Sequence, residues 1–377
     1  DQVAKELRHL ARRIHNIKIL TLCGGVPIGP QIGSLEHGAH VIVGTPGRVG
    51  DHLRKGSLRL DDVTSLVLDE ADRMLEMGFQ EALDEIIGHL SAPRQTLLFS
   101  ATYQPEIESL AARLMIQPLR VETDEVHDGR SIRQGVFEVE GDDASRLEAL
   151  RRVLLKYRPQ STLVFCTMRR EAQAVADELC RYGFSALPLH GDLEQRDRDR
   201  TLERFTNRSL SVLVATDVAA RGLDIEQLDA VINYHLARDD AVHVHRVGRT
   251  GRAGHQGVAL SFCGRGEKHR LERLEAALGH SLERMDLPGV EVLNREVYQP
   301  PMVTLQIDGG RKQKVRAGDI VGALTAGEGL GAEQVGRIRI ADNDTCVAVS
   351  RAVMQLALDR LGAGKVKRRS FRARWLR

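Results

Sequence analysis

Short apolar runs recur along this 377-residue chain, each closed by glycine, hydroxyl or acidic residues and followed by helically spaced apolar positions. Runs of that length read as buried strands, and strand alternating with helix predicts a parallel sheet. In the first third the runs fall at 18–22, 40–44, 65–68 and 96–99, with helical spacing over 3–14 and 49–55. No cap precedes the first helical stretch, so the chain is expected to open inside an element. Residues 122–130 are polar and aperiodic, and an interdomain linker is expected at 124–132. A second unit follows, with helices over 144–156, 171–182 and 196–205 and strands at 162–166, 186–189, 212–215, 230–233 and 258–262. The pattern predicts two similar α/β domains in tandem, 1–123 and 133–266, without a close sequence repeat. Residues 267–301 begin helical, turn proline-rich and read as a connector.

Residues 302–377 have a different rhythm: strand 303–307, helix 320–324, strands 337–340 and 346–349, helix 352–361, strand 372–376. This β-α-β-β-α-β order resembles a ferredoxin-like or RNA-recognition-motif (RRM-like) α+β module. Charge singles out the same segment. The whole chain nets only +2, but from Met302 onward 15 Lys/Arg stand against 7 Asp/Glu, which leaves −6 for the rest. A basic module on a mildly acidic body points to a polyanion partner. The strand near 345–350 carries no aromatic residue, so base stacking on an open sheet is not expected. Arg311, Lys312, Lys314 and Arg316, then Lys365, Lys367, Arg368, Arg369, Arg372 and Arg374, favour phosphate contact and shape recognition instead.

Composition is globular, 42% hydrophobic and 28% charged. The five cysteines form no C-x-x-C pair, and their odd number argues against a secreted disulfide framework. No charged-then-apolar leader opens the chain and no apolar run is long enough to span a bilayer. A reducing, cytoplasmic setting is expected, with no membrane partner and a monomeric chain.

Six stretches carry candidate chemistry. Asp69, Glu70 and Asp72 follow the 65–68 strand. Ligands of open α/β sheets sit at the carboxyl ends of strands. Hard carboxylate oxygens suit Mg²⁺, which sits between one or two carboxylates and substrate phosphates. Asp69 is read as the metal-side carboxylate, directly or through water. Glu70 is read as the group that positions or deprotonates the attacking water, and Asp72 as pointing to a partner that completes the site. A solvated helix start accounts for these acids equally well. Ser100 and Thr102 close the 96–99 strand, either linking to the Asp69 stretch or capping the helix after Pro105. Gly24 and Gly25 let a backbone or a phosphate chain approach. Thr45-Pro46-Gly47-Arg48 offers a helix N-terminus and a guanidinium. An ordinary turn and a plain salt bridge are the alternatives. In the second unit, residues 215–225 set Thr216, Arg221 and Asp224 beside Gly222. Arg249 and Arg252, three apart, are expected on one helical face. Paired guanidiniums suit the charge of a triphosphate in its transition state. An exposed basic helix face is the alternative. A zinc pair of His243 and His245 lacks further ligands at ordinary spacing.

Asp69-Glu70-Ala71-Asp72, Ser100-Ala101-Thr102, Arg221-Gly222-Leu223-Asp224 and His245-Arg246-Val247-Gly248-Arg249-Thr250-Gly251-Arg252 occur together and in order. That combination resembles the DEAD-box RNA helicases. Each piece is weak alone, and four in sequence at domain-scale spacing are specific. Asp308-Gly309-Gly310, Gly318-Asp319-Ile320-Val321-Gly322-Ala323-Leu324, the basic tail and the run from His190 to Arg198 are similar to the DbpA subgroup. The resemblance covers essentially the entire chain. It implies two tandem RecA-like domains, the first incomplete, followed by the RRM-like domain. It implies ATP-dependent remodelling of RNA duplexes, with ATP and Mg²⁺ as cofactors. The RNA implied is 23S ribosomal RNA during assembly of the large ribosomal subunit, with the C-terminal module anchored on an rRNA hairpin.

Carried over by position, Asp69 and Glu70 serve Mg²⁺ and water. Asp224, beside Gly222, serves the ATP ribose, and Arg249 and Arg252 the γ-phosphate. Asp72, Ser100, Thr102, His245 and Arg246 couple hydrolysis to RNA binding. Gly24, Gly25, Thr45, Pro46, Gly47, Arg48, Gln195, Arg198 and Thr216 line the RNA path, and the basic residues of the last domain add contacts. The implied mechanism is domain closure on ATP and RNA, which bends one strand and unpairs it.

One departure stands out. The family's glycine-rich loop ending in Gly-Lys-Ser/Thr, and the adenine-reading segment ahead of it, are not found. The only Gly-Lys pair, Gly364-Lys365, is followed by Val366. The matching region is expected upstream of Asp1, which makes the chain an N-terminally truncated fragment with little or no ATPase activity of its own. The competing expectation is a non-enzymatic RNA-binding or RNA-chaperone protein that has lost its nucleotide loop. A two-carboxylate hydrolase leaves Arg249 and Arg252 without a role.

Overall fold

A computed structural model describes residues 2–122, 132–220, 228–251, 257–363, 366 and 369–376. The chain divides into two compact units, Asp1–Asp124 and Glu125–Arg377. In the first, β1 (Ile19–Leu22) pairs in parallel with β2 (Val41–Gly44), and β3 (Ser65–Leu68) with β4 (Gln95–Leu98). Among the described residues the two pairs are separate sheets. Helices hold each pair. Leu53 of helix Pro46–Arg54 and Ile86 of helix Gln80–Gly88 close a core with Leu22, Leu58 and Leu60. Leu68 packs with Leu83 and with Ile107, Leu110 and Leu114 of helix Pro105–Leu114. Val67, Leu97 and Phe99 stay exposed. The β3–β4 sheet is therefore not covered on both faces, as parallel sheets ordinarily are.

The second unit is built on seven parallel strands. They are β5 (Ile132–Val139), β6 (Thr162–Cys166), β7 (Ala186–Leu189), β8 (Val212–Thr216), β9 (Ala230–Asn233), β10 (Gly257–Gly264) and β11 (Glu283–Met285). Their order is β11-β5-β10-β9-β6-β8-β7. Every residue of β6, β8 and β9 is buried, which explains their uninterrupted apolar runs. Two strands go beyond the sequence reading. β5 starts at the end of the expected linker, and its Arg133, Gln134 and Glu138 interrupt the apolar pattern. β11 is short and lies inside the expected connector. That connector packs on the sheet's own core through Val292 and Tyr298. Arg152 Nε donates to Pro288 O at 2.5 Å, Arg158 Nη1 to Glu296 O at 3.1 Å, and Gln299 Nε2 to Gly183 O at 3.1 Å.

The C-terminal module has β12 (Met302–Ile307), helix Ala317–Thr325, β13 (Val335–Ile340), β14 (Thr345–Ser350), helix Met354–Ala363 and β15 (Ala373–Trp375). Its antiparallel sheet runs β13-β14-β12-β15. This is the expected α+β arrangement. Val303, Leu305 and Ile307 alternate inward against Ile320, Leu324, Ala357 and Leu361 of the two helices.

Candidate nucleotide and RNA site

In the first unit, the chain leaves β3 through Glu70, which adopts left-handed backbone angles, φ 52° and ψ 49°. A non-glycine residue there costs roughly 1–2 kcal/mol, so the turn is held by its surroundings. Asp69 Oδ1 accepts the Glu70 N–H at 3.0 Å, and both carboxylates are exposed. Asp72 turns the other way and is buried. Its Oδ2 accepts both the backbone N–H and the hydroxyl of Thr102 at 3.1 Å. The Asp72 N–H donates to Ser100 Oγ at 3.3 Å, and Ser100 Oγ donates to Thr102 O at 2.7 Å. The Ala71 N–H donates to Phe99 O at 3.0 Å. The ends of β3 and β4 are thus knitted together. Ser100 and Thr102 do not cap the following helix, whose N-cap is Gln104.

The glycine pair and the Thr45-Pro46-Gly47-Arg48 turn also meet. The Thr45 N–H donates to Leu22 O at 3.0 Å. Arg48 donates to Val26 O at 2.9 Å and to Gln31 Oε1 at 2.7 Å. Its guanidinium ties the loop at Val26 to Gln31 of helix Gly29–Leu35 rather than standing open for an anion, and Asp51 lies farther off at 3.9 Å. Gln31 Nε2 donates to Cys23 O at 3.2 Å, and fully buried His52 contacts Gln31 Oε1 at 3.0 Å. Burial, then Arg48, lowers the His52 pKa. Gln31 and His52 carry no motif in sequence; only the fold reveals them as the brace of this edge.

In the second unit, helix Asp240–Val247 ends at Gly248. Arg249 therefore lies past this helix rather than on it. Arg252, Gly222, Asp224 and Arg221 lie outside the described residues. Arg246 is buried and its donors are engaged. Nε and Nη2 grip both Asp217 oxygens at 2.6 and 2.8 Å, and Nη1 donates to Asn233 Oδ1 and His235 O at 3.0 and 2.9 Å. His245, on the same helix, is half-buried. His243 is buried against Gln134 Oε1 at 3.0 Å, and burial, with Arg246, lowers its pKa to about 4. It is neutral and structural, and no metal-ligand cluster is found among the described residues. Thr216 is buried at the end of β8. Gln195 Nε2 donates to Asp199 Oδ1 at 2.7 Å, and Arg198 Nη2 donates to Ala219 O at 2.9 Å.

In the last domain Arg311, Lys312, Lys314, Arg316, Arg369 and Arg372 are exposed, while Lys365, Lys367 and Arg368 lie outside the described residues. The loop after β12 and the tail come together. The Asp308 N–H donates to Arg372 O at 3.1 Å. The Phe371 ring lies where a side chain on Gly309 would be, 2.4 Å from an ideal Cβ. Two basic segments far apart in sequence thereby share one edge of the module.

Residues 1–110 match the DEAD/DEAH box helicase family, 145–254 the helicase conserved C-terminal domain, and 304–374 the DbpA RNA binding domain. The ATP-dependent RNA helicase DbpA of Escherichia coli (strain K12) is 48% identical over 377 residues, all of this chain and 82% of that protein. The chain belongs to the DEAD-box RNA helicases. Within them it falls in the DbpA subgroup, and the DbpA of Bacillus subtilis (strain 168) is 36% identical over 92% of this chain and 76% of its own length. A structure of Saccharomyces cerevisiae Dbp5 bound to RNA and ADP BeF3 matches with a TM-score of 0.67 and 28% identity, covering 78% of each chain. The parallel sheets are thus RecA-like helicase folds, and RNA-dependent ATP hydrolysis and helicase action are the activity of the group.

The DEAD-box residues present fit part of the nucleotide's needs. Exposed Asp69 and Glu70 present hard oxygens of the kind Mg²⁺ takes alongside substrate phosphates. A Gly-Lys-Ser/Thr cradle for the phosphates is not among the 377 residues. No helix among the described residues is long and apolar enough to cross a membrane.

Proposed function

We propose that this helicase remodels 23S ribosomal RNA during assembly of the large ribosomal subunit, held on an rRNA hairpin by its C-terminal module. It acts as a monomer in the cytoplasm. The convergence of the 311–316 loop and the 369–372 tail on one edge of that module supports the anchoring role. It gathers guanidinium and ammonium groups where phosphates can meet several at once.

Asp69 holds Mg²⁺, directly or through water, and Glu70 orients the attacking water. Asp224, beside Gly222, takes the ribose, and Arg249 and Arg252 take the γ-phosphate charge. Asp72, Ser100 and Thr102 join the acidic turn to β4, so a shift at either end reaches the other. Arg246 acts behind His245 as a brace rather than as a ligand. Gly24, Gly25, Thr45, Pro46, Gly47, Arg48, Gln195, Arg198 and Thr216 line the RNA path. ATP supplies a triphosphate whose hydrolysis resets the RNA-bound state. The 377 residues alone bind RNA and hydrolyse ATP little or not at all, because they hold no phosphate cradle.

The decisive experiment reverses Lys365, Lys367, Arg368 and Arg369 to Glu and titrates a 23S hairpin fragment against salt. Each lost phosphate contact lowers the log–log salt slope by roughly 0.7–0.9. Affinity and slope equal to those of the parent protein overturn the anchoring role.

A further inference from the structure

The face of the C-terminal sheet opposite its helices is not open. Thr304, Gln306, Cys346 and Ala348 alternate toward it, and each is almost fully buried. What covers its centre is the second helicase domain, through the end of helix Gln195–Thr206 and the loop after it. Thr304 Oγ1 lies 2.5 Å from Ser209 Oγ and accepts from Asn207 Nδ2 at 2.8 Å, and all three residues are buried. The Met302 N–H donates to Arg208 O at 3.3 Å. Beside them Arg339 of β13 pairs with Glu203 of the helix at 2.9 Å, and the same guanidinium lies 4.0 Å from Asp344. One cation thus bridges a carboxylate from each body, and Glu203 is 6% exposed.

The chain leading into the module is fixed as well. Pro300-Pro301 stiffens it, and Arg351 holds both prolines, its Nε donating to Pro300 O at 2.7 Å and its N–H to Pro301 O at 2.8 Å. Domains joined by a linker move relative to one another by default unless an interface holds them. Here the interface is a polar seam: Thr304 shares hydrogen bonds with Asn207 and Ser209, and Arg339 lies between the Glu203 and Asp344 carboxylates. These pairings exist only in one docking pose, which favours a single orientation over a slippery apolar contact.

We infer that this seam is a bracket fixing the angle and distance between the RNA anchor and the second helicase domain, with Glu203, Arg339 and Thr304 as positioning residues. They select which nucleotides, counted from the anchored hairpin, the helicase domain meets. This selection rests on the anchoring role proposed above; the rigid pose does not. The sheet face that RNA-recognition modules commonly offer to bases is here used to hold a protein partner in the same chain. Its lack of aromatics then has a mechanical reason.

Two measurements on the full chain test this. Cys23 and Cys180 are replaced by Ser, and spin labels are placed at Asp177→Cys and Asp359→Cys, both exposed and outside the seam. The parent protein is expected to give one narrow distance. Arg339→Ala with Thr304→Val is expected to broaden it by about twofold or more, as for domains without a fixed interface. The neutral pair Glu203→Gln with Arg339→Gln, which removes both charges and keeps the Thr304 hydrogen bonds across the seam, is expected to restore a narrow distance. This separates lost positioning from misfolding. A broad distance in the parent, or a narrow one in the Arg339→Ala, Thr304→Val protein, overturns the bracket.

In the second measurement, an iron chelate on Arg181→Cys cleaves a 23S fragment carrying the hairpin. Cuts confined to a few nucleotides should spread in the loosened variant, while affinity for the fragment stays within about twofold, because Arg311, Lys312, Arg369 and Arg372 are unchanged in it. Affinity falling along with the pattern overturns the positioning role. A parent protein that ignores the fragment yet keeps the narrow distance overturns the anchoring role and leaves the rigid pose standing.

Discussion

Arg246 is the position where the motif and the structure give different expectations, and its loss can be worked out. In Arg246→Met the side chain keeps its bulk but gives up four hydrogen bonds. The Asp217 carboxylate, with its side chain 14% exposed, is left without its bidentate partner. Removing one member of a buried pair costs about 3–5 kcal/mol, because the remaining charge stays desolvated. The abandoned acceptors on Asn233 and His235 add about 1 kcal/mol. Hydrogen exchange of the β6, β8 and β9 amides reads this directly, since those strands form the buried centre of the sheet. Near 4 kcal/mol, exchange limited by global opening accelerates about a thousandfold. Asp217→Asn added to Arg246→Met removes the stranded charge and recovers about 1–3 kcal/mol. A loss below about 1 kcal/mol, or no recovery in the double variant, refutes the bracing role. The residue would then be free to move in the coupling role that the resemblance implies.

Other outcomes follow from the same geometry. The His243 pKa falls from 6.5 to about 4 on folding, so between those pH values the unfolded chain binds a proton that the folded one refuses. Stability of the second unit is full above pH 6.5 and drops on acidification by up to about 1.4 kcal/mol per pH unit, roughly 3 in all. Urea titrations across pH 4–7 should show this, and His243→Gln should flatten it; an unchanged slope refutes the assignment. Gly309→Ala puts a methyl 2.4 Å from the Phe371 ring and should cost about 1–3 kcal/mol. It lowers the melting temperature of the C-terminal module and weakens RNA binding with it, and Phe371→Leu should relieve the clash; a melting temperature equal to the parent's sinks the claim. The 377 residues alone should show ATP turnover at background, and joining a glycine-rich segment ending in Gly-Lys-Thr ahead of them, of the kind the DEAD-box family uses, should confer RNA-stimulated turnover. Strong hydrolysis by the 377 residues without that addition would refute the need for the loop.

Much of the architecture was legible because parallel strands buried on both faces leave unbroken apolar runs. Thr162–Cys166, Ala186–Leu189 and Ala230–Asn233 have the predicted ends for that reason. β5 was missed because it mixes polar and apolar residues: Arg133 reaches Glu283 of neighbouring β11, and Gln134 reaches His243. Their partners are about a hundred residues or more away, and no local pattern announces them. β11 has only three residues, too few for any periodicity. The connector looked loose because proline and polar residues dominate its end, yet Val292 and Tyr298 pack into the sheet's core. Sequence shows what a segment is made of, not what lies under it.

The same limit divides the arginines. Arg48 and Arg246 look alike in a string of letters, each one or two residues from a glycine. The fold shows what surrounds each guanidinium. Arg48 is held by a carbonyl and by Gln31, and Arg246 by Asp217, Asn233 and a carbonyl. A guanidinium has five donors in a fixed fork, and once four are committed in a buried pocket it can meet a phosphate only by abandoning them. The carboxylates divide the same way. Asp72 is buried and accepts from Thr102, while Asp69 and Glu70, one turn earlier, are exposed at the end of the strand. The strand's carboxyl end thus presents two acids outward and turns the third inward to hold the neighbouring strand. That division follows from one left-handed residue, Glu70, which reverses the direction of the chain between them. Replacing Asp72 and replacing Asp69 are therefore different experiments. Loss of Asp72 loosens the join between β3 and β4, whereas loss of Asp69 leaves that join intact and removes an outward carboxylate together with the hydrogen bond it accepts from the Glu70 N–H.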